Sequence, residues 1–129
     1  MCGAVQFEVT EAFVSASYCH CTRCQRRTGT AAAASARIVP GSLRVTRGEE
    51  LIAEWDPGDG GFAKFFCSAC GSALWSRHAG SGATSVRLGA VDGDPGIRPQ
   101  WRQFVAYAAP WEPIPDDGLP QYAESRGSN

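Results

Sequence analysis

The stretch Phe62-Ala63-Lys64-Phe65-Phe66-Cys67-Ser68-Ala69-Cys70-Gly71-Ser72-Ala73-Leu74-Trp75-Ser76-Arg77 decides the fold. Two short apolar segments, 62–66 and 73–77, flank a cysteine turn, a pattern that predicts two strands joined by a knuckle. The two thiols of Cys67-Ser68-Ala69-Cys70 can reach one ion, and Gly71 permits the backbone turn after the second. Strand signals continue on both sides. Towards the N-terminus, Val5, Phe7 and Val9 alternate with Gln6 and Glu8 as in a half-buried strand. Ala31 to Ala34 would be helical on propensity alone. They follow Thr28-Gly29-Thr30 and run into the turn Ile38-Val39-Pro40-Gly41, so a strand of small residues is predicted there. Leu43, Val45 and Leu51 to Trp55, on either side of Arg47-Gly48-Glu49, predict a hairpin ending at Asp56-Pro57-Gly58. Ser85 to Val91 alternates again before the loop Asp92-Gly93-Asp94-Pro95-Gly96. Fifteen Gly, eight Pro and no clean amphipathic run favour a mainly β, antiparallel architecture with little helix.

The chain has 129 residues and no repeat or linker that would divide it, so a single domain over 1–129 is expected, with 123–129 as a flexible tail. A composition 43% hydrophobic and 19% charged excludes a disordered chain. Eleven Arg and one Lys against thirteen Asp plus Glu leave a net charge of -1, which gives no field to draw nucleic acid or an anionic membrane. No apolar run approaches the roughly 18 to 20 residues of a membrane span, and the N-terminus has neither a basic segment nor an apolar h-region. A soluble, cytoplasmic protein is expected.

Six cysteines are the anomaly in this composition. Cys19, Cys21 and Cys24 stand too close together to serve as spaced disulfide staples, and metal binding is the better reading. Three thiols within six residues need only a tight local turn to fold around one ion. Soft thiolates without carboxylate partners select zinc, or iron and sulfur, over magnesium or calcium. The six can divide in two ways. Cys21, Cys24, Cys67 and Cys70 can form a four-thiolate ribbon, or the triplet can form one site while Cys2 joins Cys67 and Cys70 in another. Structural zinc takes four closed ligands and catalytic zinc keeps a vacancy, which makes the triplet the candidate for an open site.

Taken in order, Cys2-Gly-Ala-Val-Gln-Phe, Tyr18-Cys-His-Cys-Thr-Arg-Cys24 with Arg26-Arg27-Thr28-Gly29, Phe66-Cys-Ser-Ala-Cys-Gly71, and Pro110-Trp111 through Pro115-Asp116-Asp117-Gly118-Leu119-Pro120 resemble the glutathione-dependent formaldehyde-activating enzyme family. The resemblance runs from Cys2 to about Tyr122. It implies an Mss4-like β fold in which a structural zinc ties the N-terminal strand to the knuckle through Cys2, Cys67 and Cys70. It also implies a second, catalytic zinc on Cys19, Cys21 and Cys24. Cys2 matches the second half of a Cys-x-Cys pair in the family pattern, and the stretch at Arg102-Gln103 departs from that pattern, where many relatives have a histidine before Phe-Val.

Zinc with three thiolates is formally -1 and a poor Lewis acid, so hydrolysis is the weaker reading and a fourth, incoming thiolate the better one. The expected activity is that of a carbon-sulfur lyase or synthase, with glutathione or a related thiol as co-substrate and a small aldehyde as partner. Arg23, Arg26 and Arg27 flank the triplet and are candidates for the cofactor's carboxylates. Trp111, the tryptophan inside a family motif, is the candidate to wall the pocket. His20 in an extended segment points away from its neighbouring ligands, and His78 reads as a surface or packing residue. Two other classes use the same cysteines: a zinc-stabilised binding module without turnover, and a redox or metal-buffering protein.

Overall fold

The computed structural model describes residues 1–127. Among these described residues nine strands form two sheets: β1 (Gln6–Val9), β2 (Ser15–Cys19), β3 (Ala33–Arg37), β4 (Leu43–Arg47), β5 (Ile52–Trp55), β6 (Phe62–Cys67), β7 (Ala73–His78), β8 (Thr84–Arg87) and β9 (Arg102–Gln103). One α-helix, α1, spans Thr22–Thr28, and three single 3-10 turns lie at Glu49–Leu51, Leu88–Ala90 and Val105–Tyr107. The expectation of a mainly β chain with antiparallel sheets is met. β1 pairs with β4 alone, and the larger sheet runs β5-β6-β7-β8-β3-β2-β9, antiparallel except between β2 and β9. No helix among the described residues is long and apolar enough to cross a membrane.

Side chains directly opposite on paired strands share a face, so the register sorts the large sheet into two surfaces. Phe65, Trp75, Val86, Ala36 and Ala16 line up across β6, β7, β8, β3 and β2. The last four of these are almost fully buried. The two-stranded sheet closes over this row, with Val5, Phe7, Val9, Leu43 and Val45 packed on it. Phe7 meets the Trp75 ring edge-on at 5.3 Å, and Phe65 stacks on the same indole at 5.7 Å. One residue along each strand, the opposite face carries Lys64, Ser76, Ser85, Arg37 and Ser15 in another row. That face is polar.

The predicted knuckle hairpin is present as β6 and β7. The predicted pairing of 43–45 with 51–55 is not: β4 pairs with β1 and β5 with β6, in different sheets. Gly48 explains the break. Its φ of 76° lies in the left-handed region, and a Cβ there would overlap the Ala4 carbonyl oxygen. The chain therefore turns through Glu49–Leu51 into the second sheet instead of folding back on β4.

The C-terminal part folds along β9. Arg102 N–H donates to Pro120 O at 2.8 Å, Tyr122 N–H returns to Arg102 O at 2.9 Å, and Phe104 N–H donates to Glu124 O at 3.0 Å. Within the segment expected as a tail, Glu124 also accepts from the Tyr107 hydroxyl at 3.0 Å, while residues 128–129 lie outside the described residues.

Candidate metal centres

The first cysteine set lies where β2 ends and α1 begins. Cys19 is the last residue of β2, Cys21 is the N-cap of α1, and the buried Cys24 stands in its first turn. The helix forms here because the Cys21 sulfur accepts the Cys24 N–H at 3.3 Å. At the other end, Gly29 closes it in the left-handed conformation, donating its N–H to Gln25 O at 2.8 Å. The approach is fixed by His20 N–H, which donates to Gln103 O at 3.0 Å. The sequence predicts only a tight turn over this stretch. Seven helical residues are too few for a periodic signal, so α1 is an addition to that reading.

The sulfurs of Cys19, Cys21 and Cys24 all lie within 4.8 Å of one another. Of the three thiols, Cys21 is the one shifted below its ordinary pKa. Hydrogen bonds from the Cys19 and Cys24 thiols, with the backbone N–H groups of Cys24 and Arg23, pull it down to about 2. Cys19 moves the opposite way, because donating to Cys21 stabilises its protonated form.

The second set joins Cys2 to the knuckle. Cys67 is buried at the end of β6, and Gly71, at φ 80°, returns the chain so that its N–H reaches Cys67 O at 2.7 Å. The sulfurs of Cys2, Cys67 and Cys70 also lie within 4.8 Å of one another, with Cys2 and Cys67 at 3.9 Å. Sulfurs bound tetrahedrally to zinc at ~2.3 Å stand about 3.8 Å apart, so both sets fit a soft divalent ion. The backbone of Ser72, then that of Cys2, brings the Cys70 thiol down to about 6. All six thiols are free. Of the two divisions open to the sequence, the structure has two sets of three and no mixed ribbon among the described residues.

His20 stands apart from both. It is buried, and its Nε2 lies 3.2 Å from Arg102 Nη1. A guanidinium only donates, so Nε2 accepts. Burial, then the Arg102 charge, holds the ring below its ordinary pKa, which keeps the imidazole neutral. Arg102 completes the link with an ion pair to Asp117 at 2.8 Å. His78 is the last residue of β7, and its Nδ1 accepts from Ser81 N–H at 3.1 Å.

A cavity of about 690 Å³ opens beside the first set, lined by all three of its cysteines. The polar row of the sheet forms another wall, with Lys64, Arg37 and Arg87 reaching it. Arg23 also lines this cavity, lying 5.5 Å over the Trp55 ring and paired with Asp59 at 2.8 Å. Arg26 is exposed and lines a neighbouring hollow with Arg23, Arg27 and Trp55. Arg27 turns inward instead. It donates to Phe65 O at 2.7 Å and Trp75 O at 3.4 Å, beside the β6–β7 register shift, and ties α1 to the sheet. Burial, then Arg87, pushes its pKa down to about 10, which leaves it charged at neutral pH. Trp111 is 65% exposed and stands outside the lining of the cavity. Trp101, one of the four tryptophans in the sequence, does line it, stacked under Arg126 at 4.0 Å.

Lys64 and Arg87 are functional candidates that the sequence reading passes over. The signal for Lys64 was present: it is the one lysine of the chain, in the middle of an apolar strand.

A family model described as "Glutathione-dependent formaldehyde-activating enzyme" matches residues 1–107. The chain is also similar to a Rhodobacter sphaeroides protein of known crystal structure, with 27% identity, 94% of each chain covered and a TM-score of 0.57. No curated protein matches it.

Proposed function

The chain belongs to the glutathione-dependent formaldehyde-activating enzyme family, and from that premise we propose that it carries zinc at both cysteine sets. Its substrate in this reading is an adduct of glutathione, or a similar thiol, with a small aldehyde. The observation that carries the reading is the Cys19, Cys21 and Cys24 sulfur set on the wall of a cavity of about 690 Å³. A zinc ion held there would supply a coordination place that keeps an incoming thiol deprotonated, the form that attacks an electrophile.

The rest is work for the chain itself. The β2 end and the α1 start hold the three sulfurs on one side of the cavity. The sheet and Trp101 wall it, so that thiol and aldehyde are confined at short range. The thiol sulfur adds to the carbonyl carbon, the carbonyl electron pair passes to oxygen, and that oxygen takes up a proton. Cleavage runs the same steps backward, with nothing oxidised or reduced. Arg23, held by Asp59, is the flanking arginine on the cavity lining and is assigned a positioning role towards the thiol's carboxylate. Cys2, Cys67 and Cys70 are assigned a structural ion that fastens the N-terminus to the knuckle.

Metal analysis and a binding isotherm test the reading together. The purified protein is expected to hold about two zinc ions per chain and to lose one of them in Cys21→Ser. Glutathione titrated into zinc-loaded protein is expected to saturate in the millimolar range and to lose saturation in that variant. A wild-type protein that shows no saturation at millimolar thiol overturns the mechanism.

A further inference from the structure

We propose that the polar face of the large sheet, at Lys64, Arg37 and Arg87, is a carboxylate-binding subsite that seats an acidic group of the reacting molecule at a distance from its reactive end. The inference rests on reading this cavity as the reaction site and adds to it the class of ligand admitted.

The first observation is the unpartnered lysine. Lys64 is only 8% exposed, yet its ammonium has no hydrogen-bond or ion-pair partner among the described residues. Its charge lies 5.9 Å from the Phe62 ring and is attracted by the Cys24 and Cys21 sulfurs on the same cavity wall. The ammonium opens on the cavity instead of being sealed off, and no described side chain satisfies it there, which leaves its donors to a ligand.

The second is the company it keeps. Lys64 and Ser76 are direct cross-strand partners, Ser76 faces Ser85, and Ser85 faces Arg37. Arg87 reaches the same place, donating to Ser76 Oγ at 3.1 Å and also to Ser35 Oγ. Arg37 donates to Ser85 Oγ at 3.0 Å. Arg37 and Arg87 are thus held by neutral hydroxyls and Lys64 by none, and no Asp or Glu is among the described residues lining the cavity. The other buried arginine among the described residues, Arg102, is arranged otherwise and has Asp117.

The cysteine set does not account for this excess. A divalent ion with three thiolates carries one negative charge, against three positive charges on Lys64, Arg37 and Arg87. The surplus is a standing attraction for an anion, and planar guanidinium, ammonium and serine hydroxyls together suit carboxylate oxygens.

The test uses two probes that separate the subsite from the sulfur chemistry. Succinate has carboxylates and no thiol, while 2-mercaptoethanol has a thiol and no carboxylate. Each is titrated into zinc-loaded protein by calorimetry, with Trp101 fluorescence as a second readout. Wild type is expected to saturate with succinate. Lys64→Met removes no hydrogen bond and is expected to weaken succinate at least about tenfold while leaving 2-mercaptoethanol, zinc content and the melting curve unchanged. Lys64→Arg is expected to restore most of the succinate affinity, and Arg37→Gln gives an independent loss should Lys64→Met fold poorly. Succinate that does not bind, or that binds Lys64→Met and Arg37→Gln as well as wild type, overturns the subsite and leaves the thiol reading standing. Lys64-dependent succinate binding in a protein that takes no thiol leaves the subsite standing and overturns the thiol reading.

Discussion

The backbone N–H of Cys24 donates to the sulfur of Cys21 at 3.3 Å, so one side chain both caps α1 and belongs to a candidate metal set. The two duties can be separated by substitution. Serine caps a helix well and is a poor soft-metal ligand, whereas alanine does neither. In metal-free protein, Cys21→Ser is expected to stay within about 0.5 kcal/mol of wild type and Cys21→Ala to lose about 1 kcal/mol. Both are expected to lose metal from the Cys19, Cys21 and Cys24 set. Denaturant melts of metal-free protein, with elemental analysis of loaded protein, check both halves.

Gly48 is where the chain leaves one sheet for the other. Gly48→Ala would force a side chain into the left-handed region and against the Ala4 carbonyl. A loss of about 1–3 kcal/mol is expected from the backbone conformation alone, with more from the overlap. The same substitution at Gly58, also at positive φ but with open space around it, is the control: its loss should be the smaller. Equal losses at the two sites would remove the close approach to Ala4 as the reason for Gly48.

Trp75 is the centre of the apolar row, between Phe7 and Phe65. Trp75→Ala is expected to cost about 3–5 kcal/mol, the range for an aromatic side chain deleted from a packed core. The melt should show a reduced midpoint with the cooperative transition retained.

Acid should loosen the strap that crosses β9. The Arg102 guanidinium, then the Leu119 N–H, holds the Asp117 carboxyl below its ordinary pKa. A depressed carboxyl stabilises the fold fully above its unfolded pKa of about 4 and loses that contribution as pH falls through the folded value. Protection of the Tyr122 amide, which donates to Arg102 O, is therefore expected to decline below about pH 4. Asp117→Asn should remove that acid dependence. Hydrogen exchange at a series of pH values measures both.

The features legible in the sequence were those decided locally. Cys67-Ser68-Ala69-Cys70-Gly71 is a turn by its own chemistry, and the strands on either side pair because the turn brings them together. The triplet is likewise close in sequence, so its clustering followed from spacing alone. Cys2 was legible only as one of two ways to divide six thiols, since its approach to Cys67 depends on where β1 is carried by β4. The 43–55 hairpin failed for a related reason. Neighbouring strands in sequence usually pair, and only the contact between Gly48 and Ala4, far apart in the chain, shows why these two do not. Arg27 looked like a ligand for the cofactor because it flanks the cysteines, but helical rotation within α1 points it to the sheet carbonyls. Lys64 and Arg87 read as ordinary interruptions of apolar strands, because alternation alone does not reveal that both faces are enclosed.

The large sheet divides its tasks between consecutive residues: Lys64 and Phe65 on β6, Trp75 and Ser76 on β7, Ser85 and Val86 on β8. Point substitutions on one side can drift with little effect on the other. An inserted or deleted residue within any of these three strands has no such freedom. It would exchange the two sides at once, driving ammonium and hydroxyl groups into the greasy interior and turning indole and phenyl rings out into the charged hollow. Length variation in this part of the molecule should therefore be confined to the turns between strands.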